Sequence, residues 1–247
     1  NIEFADDEAK KAIKDAIQLW EHSTCLNFIE NGEGENKIRF FSGDGCFSNI
    51  GRIKSNPEQA ISIGEGCEWI GIAAHEIGHA LGLFHQHSRS DRDKYLEIHF
   101  NNVKQSFAGN FHRVYKQLKY NAFAINESVP VITTKNKEYQ NAMGQRLFPS
   151  FSDILVINKL YECFDECSNK DFETDCKHGG FMKPKQCEKC ICPLGFGGAE
   201  CDKVAPTYNR QRRCGGTLTA IFCSIFLIFS ETNANAFMKK LPKSSDF

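Results

Sequence analysis

The chain has almost no surplus of charge of either sign. Its 247 residues include 30 Lys and Arg against 31 Asp and Glu, mixed along the sequence, for a net charge of −1. No basic field exists for nucleic acid or an anionic membrane to meet, so neither is expected as a partner. A long apolar run is missing too. The apolar stretch at residues 221–229 is too short for a bilayer, which takes about 20 residues, so no membrane span is expected. The chain starts at Asn1 without a Met. No signal peptide, pro-segment or strand is visible ahead of the first helix, which reads as a piece of a longer polypeptide.

Cysteine, by contrast, is abundant. There are 12, crowded toward the C-terminal end. That density implies an oxidising compartment and disulfides, so a secreted protein is expected although its targeting segment is absent. The length allows one medium domain and a small module. Asn126-Glu127-Ser128 is an N-glycosylation acceptor pattern, of a kind common by chance.

The string His75-Glu76-Ile77-Gly78-His79-Ala80-Leu81-Gly82-Leu83-Phe84-His85 carries the chemistry. On a helix, His75 and His79 lie one above the other and can share a metal. Glu76 sits beside that face, within reach of a water that it would deprotonate, and is not itself a ligand. Gly82 allows the chain to turn out of the helix, because glycine takes positive φ without strain. The turn returns His85 as a third imidazole. Three neutral imidazoles and an open fourth position describe a catalytic Zn2+ site rather than a closed structural one. The bland alternative is a helix with two surface histidines. The added Gly82 and His85, and the apolar approach Trp69-Ile70-Gly71-Ile72-Ala73-Ala74, argue against it.

Periodicity places a helix over residues 6–21, with Ala9, Ile13, Ile17 and Trp20 on one stripe and Asp6, Asp7 and Glu8 suiting its N-terminal dipole. Residues 26–30, 37–42 and 60–64 read as strands. Residues 70–83 read as the metal helix, and 101–119 as mostly helical or irregular. A last helix is expected over 152–162, with Asp153 in its first turn and Ile154, Ile157 and Leu160 or Tyr161 inward. The fold class is therefore α+β.

The metal string continues as Gln86-His87-Ser88-Arg89-Ser90-Asp91-Arg92-Asp93-Lys94-Tyr95. Together they resemble the astacin family of secreted zinc endopeptidases, whose signature runs HExxHxxGxxHExxRxDRDxY. Trp20-Glu21-His22-Ser23-Thr24-Cys25, Gly45-Cys46-Phe47-Ser48-Asn49-Ile50-Gly51-Arg52, Ile61-Ser62-Ile63-Gly64-Glu65-Gly66-Cys67 and Ile157-Asn158-Lys159-Leu160-Tyr161-Glu162-Cys163 are similar to further stretches of that family. The resemblance spans about residues 1–163. It implies a two-subdomain, metzincin-like protease with a substrate cleft and zinc at its base, occupying residues 1–164 and incomplete at its N-terminus. It implies His75, His79 and His85 as zinc ligands, Glu76 as general base and the disulfides Cys25–Cys163 and Cys46–Cys67; spacing alone leaves three pairings of those four cysteines open. Arg89, Asp91, Arg92 and Asp93 read as structural ion pairs around the turn. Synthesis as a zymogen and glycosylation go with the secreted family.

Two departures stand out. Gln86 replaces the family's Glu, the residue that helps anchor the mature N-terminus. The family's S-x-M-H-Y turn, a Met floor beneath the zinc and a Tyr ligand, is not intact. Either Leu118 and Tyr120 replace its Met and Tyr, with Tyr120 stabilising the oxyanion, or the turn is deleted. Met143 belongs to a later family segment.

Residues 165–203 resemble an EGF-like domain, which implies Cys167–Cys187, Cys176–Cys190 and Cys192–Cys201. A zinc knuckle on Cys187, Cys190 and Cys192 is the metal alternative. Cys214-Gly215-Gly216-Thr217-Leu218-Thr219-Ala220 resembles the opening of a CUB domain, so residues 204–247 read as a truncated CUB start with an aberrant tail. The expected function is zinc-dependent hydrolysis of peptide bonds in extracellular proteins, with protein or peptide substrates and further contacts through the EGF-like module. The alternative is a catalytically impaired zinc-binding interaction module.

Overall fold

The structure is a computed structural model that describes residues 2–3, 6–111, 124–168 and 174–205. Tyr120 and Leu118, the turn they were assigned to, and the CUB-like stretch with Cys214 and Cys223 lie outside the described residues. The chain forms two compact units, Asn1–Trp20 with Asn27–Pro149 and Glu21–Leu26 with Ser150–Phe247.

The first unit is built on a four-stranded sheet in the order β1-β2-β4-β3, from β1 (Ile2–Glu3), β2 (Lys37–Phe41), β3 (Cys46–Ser48) and β4 (Glu58–Ile63). β1 and β4 pair parallel to β2, and β3 antiparallel to β4. A short strand thus precedes the first helix, contrary to the sequence reading. Two residues are below what a period-two pattern can reveal, and only the pairing of Ile2 with Phe40 and Glu3 with Phe41 defines it. The expected strand at 26–30 does not form. Ile29 is 82% exposed, so its apolar side chain marks no buried strand face.

Between β1 and β2 lies α1 (Asp7–Ser23). Asp6 caps it, accepting from the backbone N–H groups of Glu8 and Ala9. Its buried stripe is Ala9, Ala12, Ile13, Ala16 and Trp20, at the 3–4 residue spacing of one helix face, and Ile17 stands at its margin. Trp20 donates its indole N–H to the carbonyl of Ala74, 2.9 Å away, in α2 (Ile70–Ala80). α2 also packs on β3 and β4. Ile61, Ile63, Ala73, Ala74 and Ile77 are almost wholly buried there. The disulfide Cys46–Cys67 joins β3 to the loop entering α2.

Glycine at position 71 is dictated by close approach. A Cβ there would stand 1.9 Å from the carbonyl oxygen of Arg146 and 2.8 Å from the carbonyl carbon of Leu147. Both obstacles are backbone, which cannot swing aside as a side chain can. Gly71→Ala is therefore expected to lower stability by about 3 kcal/mol, the upper part of the overpacking range. Urea unfolding measures it; an unchanged midpoint would mean that the 146–147 segment yields freely.

Beyond α2 the unit continues through short 3-10 turns, including Phe100–Asn102 and Gln105–Phe111, over the described part of the stretch expected to be helical or irregular. β5 (Leu96–Ile98) and β6 (Ile132–Thr134) form an antiparallel pair. They border a second apolar cluster of Val103, Phe111, Ala124, Val131 and Ile132, against which Met143 packs.

The second unit holds α3 (Phe151–Leu160), which starts with a reciprocal capping box between Ser150 and Asp153. Ile157 is buried, but Leu160 and Tyr161 are exposed, unlike the inward placement read from the sequence. The inward position falls to Asn158, whose amide NH2 donates to the carbonyls of Ser23 and Ile154, pairing both of its N–H groups. Cys25–Cys163 closes 138 residues, a constraint of about 5 kcal/mol in the chain-entropy picture. After α4 (Asp165–Ser168) come the hairpin β7 (Phe181–Lys183) and β8 (Gln186–Ile191) and the pair β9 (Phe196–Gly197) and β10 (Lys203–Val204). Three disulfides hold this small segment, Cys167–Cys187, Cys176–Cys190 and Cys192–Cys201. Lys185, at the hairpin turn, donates to the carbonyls of Glu21 and Leu26. The latter carbonyl, at the start of the 26–30 stretch, thus serves an ammonium group.

Candidate metal centre

α2 presents its site residues because its other faces are apolar and buried. Ile72, Ala73, Ala74 and Ile77 are buried in the first unit, which fixes the rotation of the helix about its axis. His75 and His79, one turn apart, then share a face, with ring centroids 4.4 Å apart.

The helix stops at Ala80, three residues earlier than the periodicity predicts. Its end is a Schellman motif. Gly82 N–H donates to His79 O at 2.8 Å, Leu83 N–H donates to Gly78 O at 2.9 Å, and Gly82 takes φ +106°. That left-handed residue reverses the chain. His85 follows in extended backbone and its ring returns 5.1 Å from His75 and 4.3 Å from His79.

One ring nitrogen or equivalent donor atom from each of His75, His79 and His85 lies within 4.8 Å of the others. His75 Nε2 and His85 Nε2 are 3.1 Å apart. Tetrahedral zinc with bonds of about 2.0–2.1 Å sets its ligand nitrogens about 3.3–3.4 Å apart, so the spacing fits this ion closely. The hydrogen bonding fits as well. His79 Nδ1 lies 2.7 Å from the carbonyl of Leu83, which can only accept, so Nδ1 carries the proton and Nε2 keeps its lone pair for a metal. Glu76 is only 5% exposed, and a nearby dication would offset the cost of burying its carboxylate. The donor set therefore fits Zn2+.

Burial, and then the charges of His79 and Arg146, pushes His75 down to about 3 from the usual 6.5. Its imidazole is neutral across the physiological range, as a ligand must be. The same shift has a stability consequence for the metal-free protein. Between pH 6.5 and about 3 the unfolded chain binds a proton at His75 that the folded chain does not. Stability therefore rises with pH across that window and is lost as pH falls through it. The urea midpoint of metal-free protein is expected to drop between pH 6.5 and 4.5, and to drop less in His75→Gln. An identical pH dependence in both proteins would contradict the assignment.

The charged residues after His85 divide. Arg89 and Asp91 form a two-point surface pair at 2.9 and 3.0 Å, which holds the Asp91 carboxyl below the usual range through the Arg89 hydrogen bond. Arg92 is buried. It contacts Asp93 at 3.2 Å, but its Nη1 also donates to the carbonyls of His87 and Phe111, tying the segment after His85 to the second apolar cluster. Ion pairing alone, the role read from the sequence, understates it. Gln86 is exposed.

Two residues near the site have no spacing signal in the sequence. His87 is buried, its ring 5.7 Å from that of His85 and nearly parallel to it. Arg146 reaches the site electrostatically, as one cause of the His75 shift, from a segment pressed on Gly71. Only the chain path places either there.

A protein-family model described as Astacin (Peptidase family M12A) matches residues 2–162. Over 225 residues the chain is 36% identical to zinc metalloproteinase nas-31 of Caenorhabditis elegans, covering 85% of this chain and 35% of that one. Over 234 residues it is 38% identical to zinc metalloproteinase nas-36 of Haemonchus contortus, covering 87% of this chain and 37% of that one. Among solved structures it is similar to high choriolytic enzyme 1, a hatching enzyme zinc-protease from Oryzias latipes (medaka fish). That likeness has 30% identity and a TM-score of 0.60, over 66% of this chain and 87% of the other. The chain spans about a third of the length of the curated relatives it matches.

Proposed function

This chain belongs to the astacin family, peptidase family M12A, and from that premise we propose that the protein is a secreted zinc endopeptidase acting on extracellular proteins or peptides. The observation that carries the reading is the convergence of His75, His79 and His85 beside the buried carboxylate of Glu76. Residues 1–164 are the catalytic domain, a two-subdomain protease with its substrate cleft at the metal centre. Residues 165–203 are an EGF-like module that makes extracellular contacts, and the stretch from 204 opens a CUB-like region. Five disulfides support the extracellular assignment, because such bonds persist in oxidising compartments.

His75, His79 and His85 would hold the zinc. When bound, Zn2+ supplies Lewis acidity that polarises the scissile carbonyl and makes water acidic near neutral pH. Glu76 acts as general base. It takes a proton from the attacking water and later passes that proton to the leaving amine. Leu83 keeps the His79 ring in the tautomer and orientation that this arrangement requires. The burial of α2 limits water around Glu76 and strengthens its electrostatics.

Cleavage of a generic peptide is expected to stop on treatment with a zinc chelator and to return when Zn2+ is restored. Cleavage indifferent to the chelator would sink the metalloprotease reading. A second reading, an impaired zinc-binding module, is favoured by the stretch from His85 to Tyr120, which lacks the intact S-x-M-H-Y turn of the family. Zinc-loaded protein that cleaves nothing would select it.

A further inference from the structure

We propose that Asn126 carries an N-linked glycan, an inference that rests on the secreted reading. Asn126-Glu127-Ser128 is the only Asn-x-Ser/Thr sequence in the 247 residues. The structure places it where a glycan is tolerated, and the reason lies in a buried neighbour. The side chain of Asn102, 8% exposed, clamps the backbone of the turn. Its amide donates to the carbonyls of Asn126 and Val129, at 3.0 and 2.8 Å, and its oxygen accepts from the N–H of Asn126 at 2.9 Å. The N–H of Ile125 donates in turn to the Asn102 carbonyl. The backbone of residues 125–129 is thus tied inward and the Asn126 side chain is left exposed.

Asn126 Oδ1 accepts from the Ser128 N–H at 3.0 Å, closing an Asx turn across the acceptor triplet. Nδ2, the atom a sugar is joined to, makes no hydrogen bond among the described residues. A glycan on it displaces nothing. Ile125 and Val129, beside it, are 64% and 43% exposed. Sugar over this turn covers apolar surface that otherwise faces water.

The donor class is a lipid diphosphate-linked oligosaccharide. The sugar's anomeric carbon forms a bond to Nδ2 and its bond to the diphosphate oxygen breaks. Nδ2 loses one proton, and the lipid diphosphate leaves.

The full chain behind a heterologous secretory leader, translated with microsomes, tests this. The protease-protected chain is expected to show one endoglycosidase-sensitive step in gel mobility, including its monomeric, disulfide-bonded fraction. Asn126→Gln and Ser128→Ala are each expected to abolish the step, and Ser128→Thr to keep it. Ser128→Ala is the sharper variant, because the Asx turn uses the Ser128 backbone N–H and survives the change. A step that persists in Asn126→Gln overturns the proposal. So does a protected wild-type chain without the step, or a glycan confined to cross-linked aggregates. Because the leader enforces entry, those results leave the secreted reading standing. That reading fails separately if the lumenal chain forms none of its intramolecular disulfides.

Discussion

Glu76→Gln is expected to leave one zinc per chain and to slow peptide cleavage by about 10²–10⁴-fold, the range associated with a positioned general base. Glu76 follows His75 on α2, yet it is absent from the three-residue metal cluster. Its carboxylate is buried, where the neutral amide of Gln has nearly the same volume and lower desolvation cost. The fold and the ligands should therefore survive, and only proton transfer should be lost. Metal analysis and a cleavage assay on the same preparation separate the two functions. Loss of zinc would show that Glu76 is a ligand, and undiminished cleavage would eliminate it as the base.

His79→Ala is expected to remove the metal and the activity together. His79 is the central imidazole of the cluster, 4.4 Å from His75 and 4.3 Å from His85 by ring centroid. It is also the ligand whose tautomer the Leu83 carbonyl fixes. Without it only two imidazoles remain, an incomplete set for catalytic zinc. The effect reaches stability. A folded-state ligand present at a thousandfold over its dissociation constant stabilises by about 4 kcal/mol, so wild-type protein should gain that much on adding zinc and the variant almost nothing. Thermal unfolding with and without Zn2+ measures the difference. An equal zinc-dependent gain in both proteins would mean that the metal sits elsewhere.

The centre was legible in the sequence because its information is local. Helical periodicity brings His75 and His79 to one face, and the need for positive φ at Gly82 announces the reversal that returns His85. The stripe of α1 and the strands at 37–42 and 60–64 were legible for the same reason, since a period of 3.6 or 2 is written in consecutive residues. Cysteine density announced disulfides. It could not choose their partners, and the pairings came from resemblance.

What only the tertiary structure decided depends on residues far apart in the chain. The strand Ile2–Glu3 exists because β2 lies beside it, and residues 26–30 form none although their composition suggests one. Trp20 finds the carbonyl of Ala74, and Gly71 must be glycine because the backbone of Arg146 passes over it. α3 turns Asn158 inward and leaves Leu160 outside, and the carbonyl of Ser23 accepts from a buried amide NH2 that no hydropathy pattern would place there. Arg92 caps two carbonyls, one of them 19 residues away. A local pattern states which face of an element is apolar. Which distant group meets that face, and which backbone polar group then needs a partner, is set by packing, and packing is written in no single stretch of sequence.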